Sequence, residues 1–177
     1  MVQKNRGLTG GQQTRPPRHI FMSGLAAGAL VTTLDGELPV EFLHAGDRIV
    51  TLDRGMVKLR AITARPVYRN DLIRVSPRSL DPRTEAPDFW IAAEQPLLLR
   101  DWRAKAMYGR PRVLVPTARL LDGEHLRRET GGGQTMLFQL HFEDKHVIRV
   151  GGLDLTSTPL KGLKRRPKVE AQTVTGR

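Results

Sequence analysis

The central part of this 177-residue chain is predicted to be an all-β fold of many short strands, arranged as a sandwich or barrel. Short apolar runs rich in β-branched residues recur along it, such as Ala-Leu-Val-Thr-Thr at 29–33. Turn-forming residues separate these runs roughly every 8–12 residues, a spacing typical of all-β domains. No window of about 11 residues repeats apolar side chains at helical spacing, so strands are favoured over helices.

Residues that turn or break the chain bound each predicted strand. Asp35-Gly36 and Arg54-Gly55 are turn dipeptides, because glycine accepts backbone angles that other residues avoid. Strands are predicted at 29–33, 38–40, 49–52, 56–63, 67–68, 72–75, 89–92, 97–99 and 113–115, with a last strand pair at 136–142 and 147–150. Turns are predicted at 35–36, 45–47 and 54–55, and a helical turn at 117–121. Loops are predicted at 76–88, which contains Pro, and at 131–133.

Alternation of apolar residues along these strands selects a predicted core. Its members are Leu30, Val40, Ile49, Leu59, Ile73, Ile91, Leu98, Val115, Leu140 and Ile148. Trp90 is predicted to be a core or rim aromatic. Trp102 lies among Arg and Lys residues and is predicted to be a surface anchor.

The basic residues are concentrated at the two ends of the chain. The formal net charge is +11, of which residues 1–20 carry +4 and residues 161–177 carry +5. The 140 residues between them hold 19 basic and 17 acidic groups. Both ends are poor in large apolar residues, so they cannot bury enough surface to offset the entropy of ordering. We therefore expect disordered basic arms at 1–20 and 161–177 around a β domain at 21–160.

The C-terminal arm is a candidate anion-binding segment. Its candidate residues are Lys161, Lys164, Arg165, Arg166 and Lys168. Such a run can bind the phosphates of nucleic acid or an anionic membrane surface, although a solvated tail that keeps the chain soluble is the competing interpretation. No aromatic residue lies in 161–177 to stack on a base, which argues against a reader of single strands.

The composition excludes several chemistries. With no cysteine, the chain has no disulfide, no Cys-ligated zinc or iron–sulfur cluster and no thiol nucleophile. No phosphate-binding glycine motif, Gly-x-Ser-x-Gly or His-Glu-x-x-His occurs, and we predict no cofactor or metal. Without a signal-peptide pattern or an apolar span, a cytoplasmic location is the default, with non-classical export left open.

Two histidines lie near the end of the predicted domain. His141 and His146 are five apart, which places them on opposite faces of an unbroken strand and weakens a two-histidine metal site. Asp144 and His146 share a face in that interpretation, so the carboxylate is placed to orient the imidazole.

Four sequence blocks, in consistent order over about residues 24–157, carry a family pattern. The first has Gly28 four residues after Gly24, then Asp-Gly and Pro-Val-Glu at 35–41 and Gly-Asp-Arg-Ile-Val-Thr at 46–51. The others lie at 91–99, at 112–123 (with Val-Leu-Val-Pro) and at 137–153 (with Asp-x-His-x-Ile). In this order they resemble the Hint (Hedgehog/intein) family, particularly its bacterial Hint-2 branch.

The resemblance implies a compact, horseshoe-like all-β fold and a self-cleaving chemistry. In working members a Cys or Ser at the first position attacks the preceding carbonyl and forms a thioester or ester. The histidine of a Thr/Ser-x-x-His block assists this acyl shift as acid and base. Splicing members then use a C-terminal Asn that cyclises.

The positions that carry this chemistry are replaced in the present chain. Gly24 stands where the nucleophile would be, Gln95 where the block histidine would be and Ala92 where its Ser/Thr would be. No Asn lies at the end of the resembling region. Of the four family-equivalent positions, Gly24, Gln95, Asp144 and His146, only the last two keep side chains suited to the chemistry.

These replacements predict a degenerate member rather than an enzyme: a non-processing structural or binding module. If a cleft survives, Gly24, Gln95, Asp144 and His146 are expected to converge in it.

One alternative retains self-cleavage, with Ser23 attacking the Met22 carbonyl and His146 assisting. That attack requires a register shift of one residue, which turns a strand side chain to the other face. The other alternative is a binder of nucleic acid or anionic surfaces through the basic arms.

If the C-terminal arm binds nucleic acid, deleting 161–177 should abolish a binding to DNA or RNA that weakens steeply with salt. Titrating duplex DNA and RNA at several salt concentrations, with and without the arm, measures this. Binding that is absent, or that does not respond to salt, would remove the hypothesis.

Overall fold

The computed structural model describes residues 23–80 and 85–160, which form two β-sheets. The all-β prediction is confirmed. The strands are β1 Leu25–Ala26, β2 Leu30–Thr33, β3 Gly36–Pro39, β4 Arg48–Thr51, β5 Gly55–Lys58, β6 Ala61–Tyr68, β7 Leu72–Val75, β8 Phe89–Ala92, β9 Pro96–Leu99, β10 Val113–Pro116, β11 Leu126–Arg128, β12 Gln134–Phe142, β13 Val147–Val150, β14 Leu153–Thr156 and β15 Thr158–Pro159. Helical segments are α1 Pro77–Leu80, α2 Trp102–Tyr108, and 3-10 turns at Val40–Phe42, Arg69–Asp71 and Thr117–Arg119. The predicted arms at 1–20 and 161–177, with the five arm residues Lys161 to Lys168, lie outside the described residues.

The chain order of the strands differs from their order in the sheets. The first sheet runs β11-β7-β8-β1-β12-β15, with β6 paired along β12. The second runs β10-β9-β14-β13-β2-β4-β5, with β3 paired to β2. The short β1 therefore lies inside the first sheet, where Leu25 pairs with both Ile91 and Phe138. The chain passes from the first sheet to the second at 93–95, between β8 and β9.

A main core fills the space between the sheets, and a smaller one covers the opposite face of the first sheet. Leu25, Ile73 and Ile91 belong to the main core, whereas their strand neighbours Ala26 and Leu72 belong to the smaller one. This division follows from the alternation of side chains along a strand. Because strands of this kind are buried on both faces, their sequences are apolar runs without alternating polar residues.

Eight of the ten predicted core residues are buried, and the prediction is wrong for Leu30 and Leu98. Both are only half-buried, whereas their neighbours Val31 and Leu97 belong to the main core. The error has a physical cause. The runs at 29–31 and 97–99 are apolar at every position, so alternation alone does not select the buried face.

Several elements differ from the prediction. Strands β1, β11, β14 and β15, each with four residues or fewer, are not predicted from the sequence. Neither is α2, a seven-residue helix that begins after Asp101 and ends at Gly109. The Asp101 carboxylate accepts the Arg103 N–H, and Gly109 has φ 65°, so both ends carry ordinary capping signals. The helix has seven residues, fewer than the roughly 11 over which helical spacing is visible in a sequence.

The two tryptophans occupy different environments. Trp90 is half-buried beside the smaller core, and Trp102 is 76% exposed at the start of α2. Within 23–80 and 85–160, no helix combines the length and apolar character needed to cross a bilayer.

Candidate functional site

The structure brings Gly24 and Gln95 into direct contact although they are 71 residues apart. Gly24 immediately precedes β1, and its carbonyl accepts the Ala92 N–H at 3.0 Å. Gln95 ends the bend after β8, where its own N–H donates to the Ala92 carbonyl at 3.0 Å. Its side-chain Oε1 accepts the Gly24 N–H at 2.9 Å. The family-equivalent nucleophile and histidine positions therefore lie side by side.

The Gln95 amide bonds to both sheets. Its Nε2 donates to the Thr156 carbonyl at 2.9 Å, while its backbone carbonyl accepts the Thr117 hydroxyl at 2.7 Å. The side chain is 2% exposed, and the partners fix its orientation, because an N–H needs the amide oxygen and a carbonyl needs the amide nitrogen. Neutral imidazole also offers one donor and one acceptor, but it exchanges a proton near neutral pH and a carboxamide does not.

The backbone at Gly24 disfavours any side chain. Its φ is +145°, a value that L-residues rarely adopt. A Cβ built there would lie 2.8 Å from Leu137 Cγ and 3.0 Å from the Phe138 carbonyl oxygen. Leu137 or the backbone of β12 would have to move to accommodate it. The position is therefore shaped around glycine.

A small pocket adjoins this pair. Its free volume is about 10 Å³, roughly that of a single water molecule. Its polar lining comes from Ser23, Gly24, Gln95, Gln139, Thr156, Ser157 and Thr158. Its apolar lining comes from residues of β1, β12, β13 and β14.

Ser23 has a hydrogen-bond donor as its partner. Gln139 Nε2 donates to the Ser23 hydroxyl at 3.1 Å and to the Ser23 carbonyl at 2.9 Å. An amide N–H cannot accept the hydroxyl proton, so this contact does not activate Ser23 as a nucleophile.

His146 is held by Asp53, which corrects the predicted contact with Asp144. Its Nδ1 lies 2.7 Å from Asp53 Oδ2, and its ring packs edge-on against Phe142 with centroids 5.7 Å apart. Asp144 is exposed in the bend after β12, and this bend breaks the alternation on which the shared face depended. The expected convergence of four residues is therefore incomplete.

His146 reaches the pocket through its backbone. Its N–H donates to the Ser157 hydroxyl at 2.8 Å, and the Ser157 N–H donates to the His146 carbonyl at 2.8 Å. The imidazole itself is not among the pocket-lining groups. His146 thus positions Ser157 at the edge of the pocket.

The hydrogen bonds that Asp53 receives favour its ionised carboxylate. Partial desolvation raises the pKa of Asp53, but hydrogen bonds from His146 and from the Val147 N–H outweigh it, so that the pKa lies below its ordinary value. The Val147 N–H donates to Asp53 Oδ1 at 3.0 Å. Sequence reasoning missed Asp53, whose one local signal is its place in the turn before Gly55.

His141 is a buried histidine on β12. Its Nε2 lies 2.9 Å from the Thr63 hydroxyl, and burial lowers the pKa of His141, which favours the neutral ring. Its Nδ1 has no hydrogen-bond partner among the described residues. In the part of the chain that the structure describes, no group of three or more His, Asp and Glu is arranged to hold a metal ion.

The domain is similar to known proteins in sequence pattern and in fold. The model of the Hint domain family matches residues 23–159. The solution structure of a bacterial intein-like domain from Clostridium thermocellum is similar, with a TM-score of 0.54 and 14% identity over 77% of this chain and 97% of that one. The crystal structure of the MchDnaB-1 intein has a TM-score of 0.48 and 13% identity over 74% of this chain and 98% of that one. None of the curated proteins matches the sequence. At such identities the structural likeness concerns the fold.

Gly24→Ala should lower the free energy of unfolding by about 1–3 kcal/mol, because the new Cβ overpacks against β12 at an unfavourable φ. Gly132→Ala is the matched control, since no atom lies within 4 Å of its Cβ position and its φ is not positive. It should change stability by less than about 1 kcal/mol. Urea denaturation measures both, and an equal effect of the two substitutions would contradict the tight packing at Gly24.

Asp53→Asn should destabilise the domain at neutral pH and matter less in acid. The folded-state pKa of Asp53 is depressed, so its stabilisation is present above the unfolded-state pKa of about 3.9 and is lost as pH falls through the folded-state value. The measurement is urea denaturation at neutral pH and below pH about 4. Asp144→Asn is the control, expected to have little effect at either pH. A wild-type advantage over Asp53→Asn that grows in acid would contradict the assignment.

Proposed function

Because the chain belongs to the Hint domain family, we propose that it is a non-processing member that keeps the fold as a structural or binding module. The module corresponds to residues 21–160, with the basic ends as arms. The observation that carries the proposal is the buried Gly24–Gln95 pair, in which a glycine and a carboxamide occupy the positions of nucleophile and proton carrier. The proposal concerns cleavage of the peptide bond before Gly24.

The first step of self-cleavage lacks an attacking atom. An acyl shift needs a side-chain sulfur or oxygen that adds to the preceding carbonyl, and Gly24 has neither. Water is a weak substitute unless a base activates it, and among the described residues no Asp, Glu, His or Lys side chain lines the pocket. The 2.8 Å separation between the Gly24 Cβ position and Leu137 Cγ also supports the proposal, because a side chain at this position would overlap its neighbour.

The second requirement, proton transfer to the departing amide, is also unmet. Gln95 Oε1 accepts a hydrogen bond from the Gly24 N–H, so it stabilises the intact amide. An acid at this position would instead donate a proton to the amide nitrogen as the bond breaks. The contact that remains thus supports folding and not cleavage.

The competing proposal, cleavage by Ser23 with His146, receives less support. The Ser23 hydroxyl accepts a hydrogen bond from Gln139, and the His146 imidazole is bound to Asp53 and packs on Phe142. Since the imidazole does not line the pocket that contains Ser23, proton transfer between them would require rearrangement. Losing several cooperating groups together is expected to remove the concerted reaction.

Mass spectrometry of the purified full-length protein should find a single species at the intact mass of 19.8 kDa, before and after incubation with hydroxylamine. Without cysteine the chain could form only an ester, and hydroxylamine releases the upstream segment from an ester as its hydroxamate, so this treatment would expose a slow acyl shift. Ser23→Ala and His146→Ala should give the same result as the wild type.

A clean break before Ser23 or Gly24 would overturn the proposal. If Ser23→Ala also abolished that break, the Ser23 mechanism would replace it. A break that persisted in Ser23→Ala but disappeared in His146→Ala would instead identify attack by water assisted by the histidine.

A further inference from the structure

Helix α2 carries apolar side chains on two opposite faces. Ala104 is 0% exposed, and Tyr108 packs with it against the main core. At 100° per residue, Trp102 and Ala106 lie on the outward side, about 40° apart, and Met107 lies on the flank, about 140° from Trp102. Trp102 and Met107 are 76% and 57% exposed. A helix at the surface of a soluble domain normally presents polar residues there. The outward face therefore exposes apolar side chains that a binding partner would bury.

Positive charge is concentrated in α2 and the residues next to it. Residues 100–114 hold five basic residues and one acid, a net +4, whereas the other residues of 21–160 sum to −2. Arg103 pairs with Asp101 at 2.6 Å and Arg100 with Asp154 at 2.8 Å. The remaining cations are exposed and form no ion pair with the described residues; they are Lys105, Arg110 and Arg112. The near-neutrality of the domain as a whole thus conceals a local cationic patch.

The α2 surface, defined as Trp102, Lys105, Ala106, Met107, Arg110 and Arg112, is held rigidly. Asp101 caps the start of the helix through the Arg103 N–H at 2.9 Å, and the Gly109 N–H donates to the Lys105 carbonyl at 3.0 Å at its end. The helix joins β9 to β10, which pair in register from Leu99–Val113 to Pro96–Pro116. A surface ordered in advance loses little conformational entropy when it binds.

We propose that the α2 surface docks on anionic lipid bilayers. Trp102 and Met107 enter the interfacial layer, where an indole ring buries its apolar body and keeps its N–H near water. Lys105, Arg110 and Arg112 contact acidic headgroups, each adding about 1 kcal/mol near a charged bilayer. Exposed apolar residues with Lys and Arg beside them are features that this surface shares with interfacial helices.

Nucleic acid fits the same surface less well. Binding of single strands uses several aromatic residues as successive stacking platforms, and duplex binding uses phosphate contacts for which an exposed Met and Trp have no role. The α2 surface has one aromatic residue and an apolar neighbour. The inference does not depend on whether the domain cleaves itself.

Co-sedimentation of the full-length protein with vesicles tests the proposal. Binding should be strong to vesicles of phosphatidylserine and phosphatidylcholine, and weak to pure phosphatidylcholine. Trp102→Ala should weaken binding about tenfold or more. Phe42→Ala is the matched control, because Phe42 is 64% exposed on a distant 3-10 turn, and it should bind as the wild type.

Charge-reversal variants distinguish a contact made by the α2 surface from a general effect of the protein's net charge. The triple variant Lys105→Glu, Arg110→Glu and Arg112→Glu should bind about 100-fold more weakly. The control Arg48→Glu, Lys58→Glu and Lys145→Glu changes the net charge equally at exposed positions elsewhere and should retain binding within a few-fold. Equal weakening by both triple variants would overturn the proposal.

Tryptophan fluorescence locates the bound surface. Brominated lipids should quench the wild type and leave Trp102→Phe nearly unquenched, because the remaining Trp90 is half-buried and bound to Glu129. Binding without quenching of Trp102 would place the contact elsewhere, on the basic arms above all, and would overturn the proposal. Two further results would overturn the proposal. One is that the protein does not bind the vesicles at all. The other is that Trp102→Ala loses DNA binding while its vesicle binding is unchanged.

Discussion

The side-chain amide of Gln95 is the buried polar contact that ties the start of the first sheet to the second. It lies at one of the points where the chain crosses from the first sheet to the second, and it binds Gly24 beside β1 and Thr156 at the end of β14. Without it, the Gly24 N–H and the Thr156 carbonyl would be buried without these partners, and such groups cost about 1–3 kcal/mol each. The two-residue β1 has few other bonds to fix its start. One carboxamide therefore holds the entry of the domain against its last strands.

This arrangement separates two properties that a histidine combines. As a hydrogen-bonding group, a neutral imidazole supplies a donor and an acceptor, and Gln95 supplies both. As a proton carrier, imidazole changes its charge near neutral pH, which the carboxamide cannot do. The fold needs the first property and the reaction needs the second. For the non-processing member that we propose, this exchange explains how the family architecture persists without cleavage.

Prediction from sequence succeeded where the physics is local. Turn dipeptides and β-branched runs located strands such as β4, β8 and β13, because their patterns are contained in a few residues. It failed at Leu30 and Leu98, where apolar residues on both faces hide the side-chain alternation. It also missed Asp53, since a turn residue 93 positions from His146 carries no local mark of that contact. The pairing of Gly24 with Gln95 followed from the family resemblance and from no spacing rule.

The position of β1 also bears on how the chain reaches its folded state. Leu25 pairs with Ile91 on one side and Phe138 on the other, so the first sheet cannot close around it until most of the domain has been synthesised. Contacts between residues so distant in sequence make folding slow, because the loops between them must close first. During translation the early strands, including the second-sheet strands β2 to β5, emerge before their later partners. For that interval a chaperone or the ribosome surface would have to shield their apolar faces.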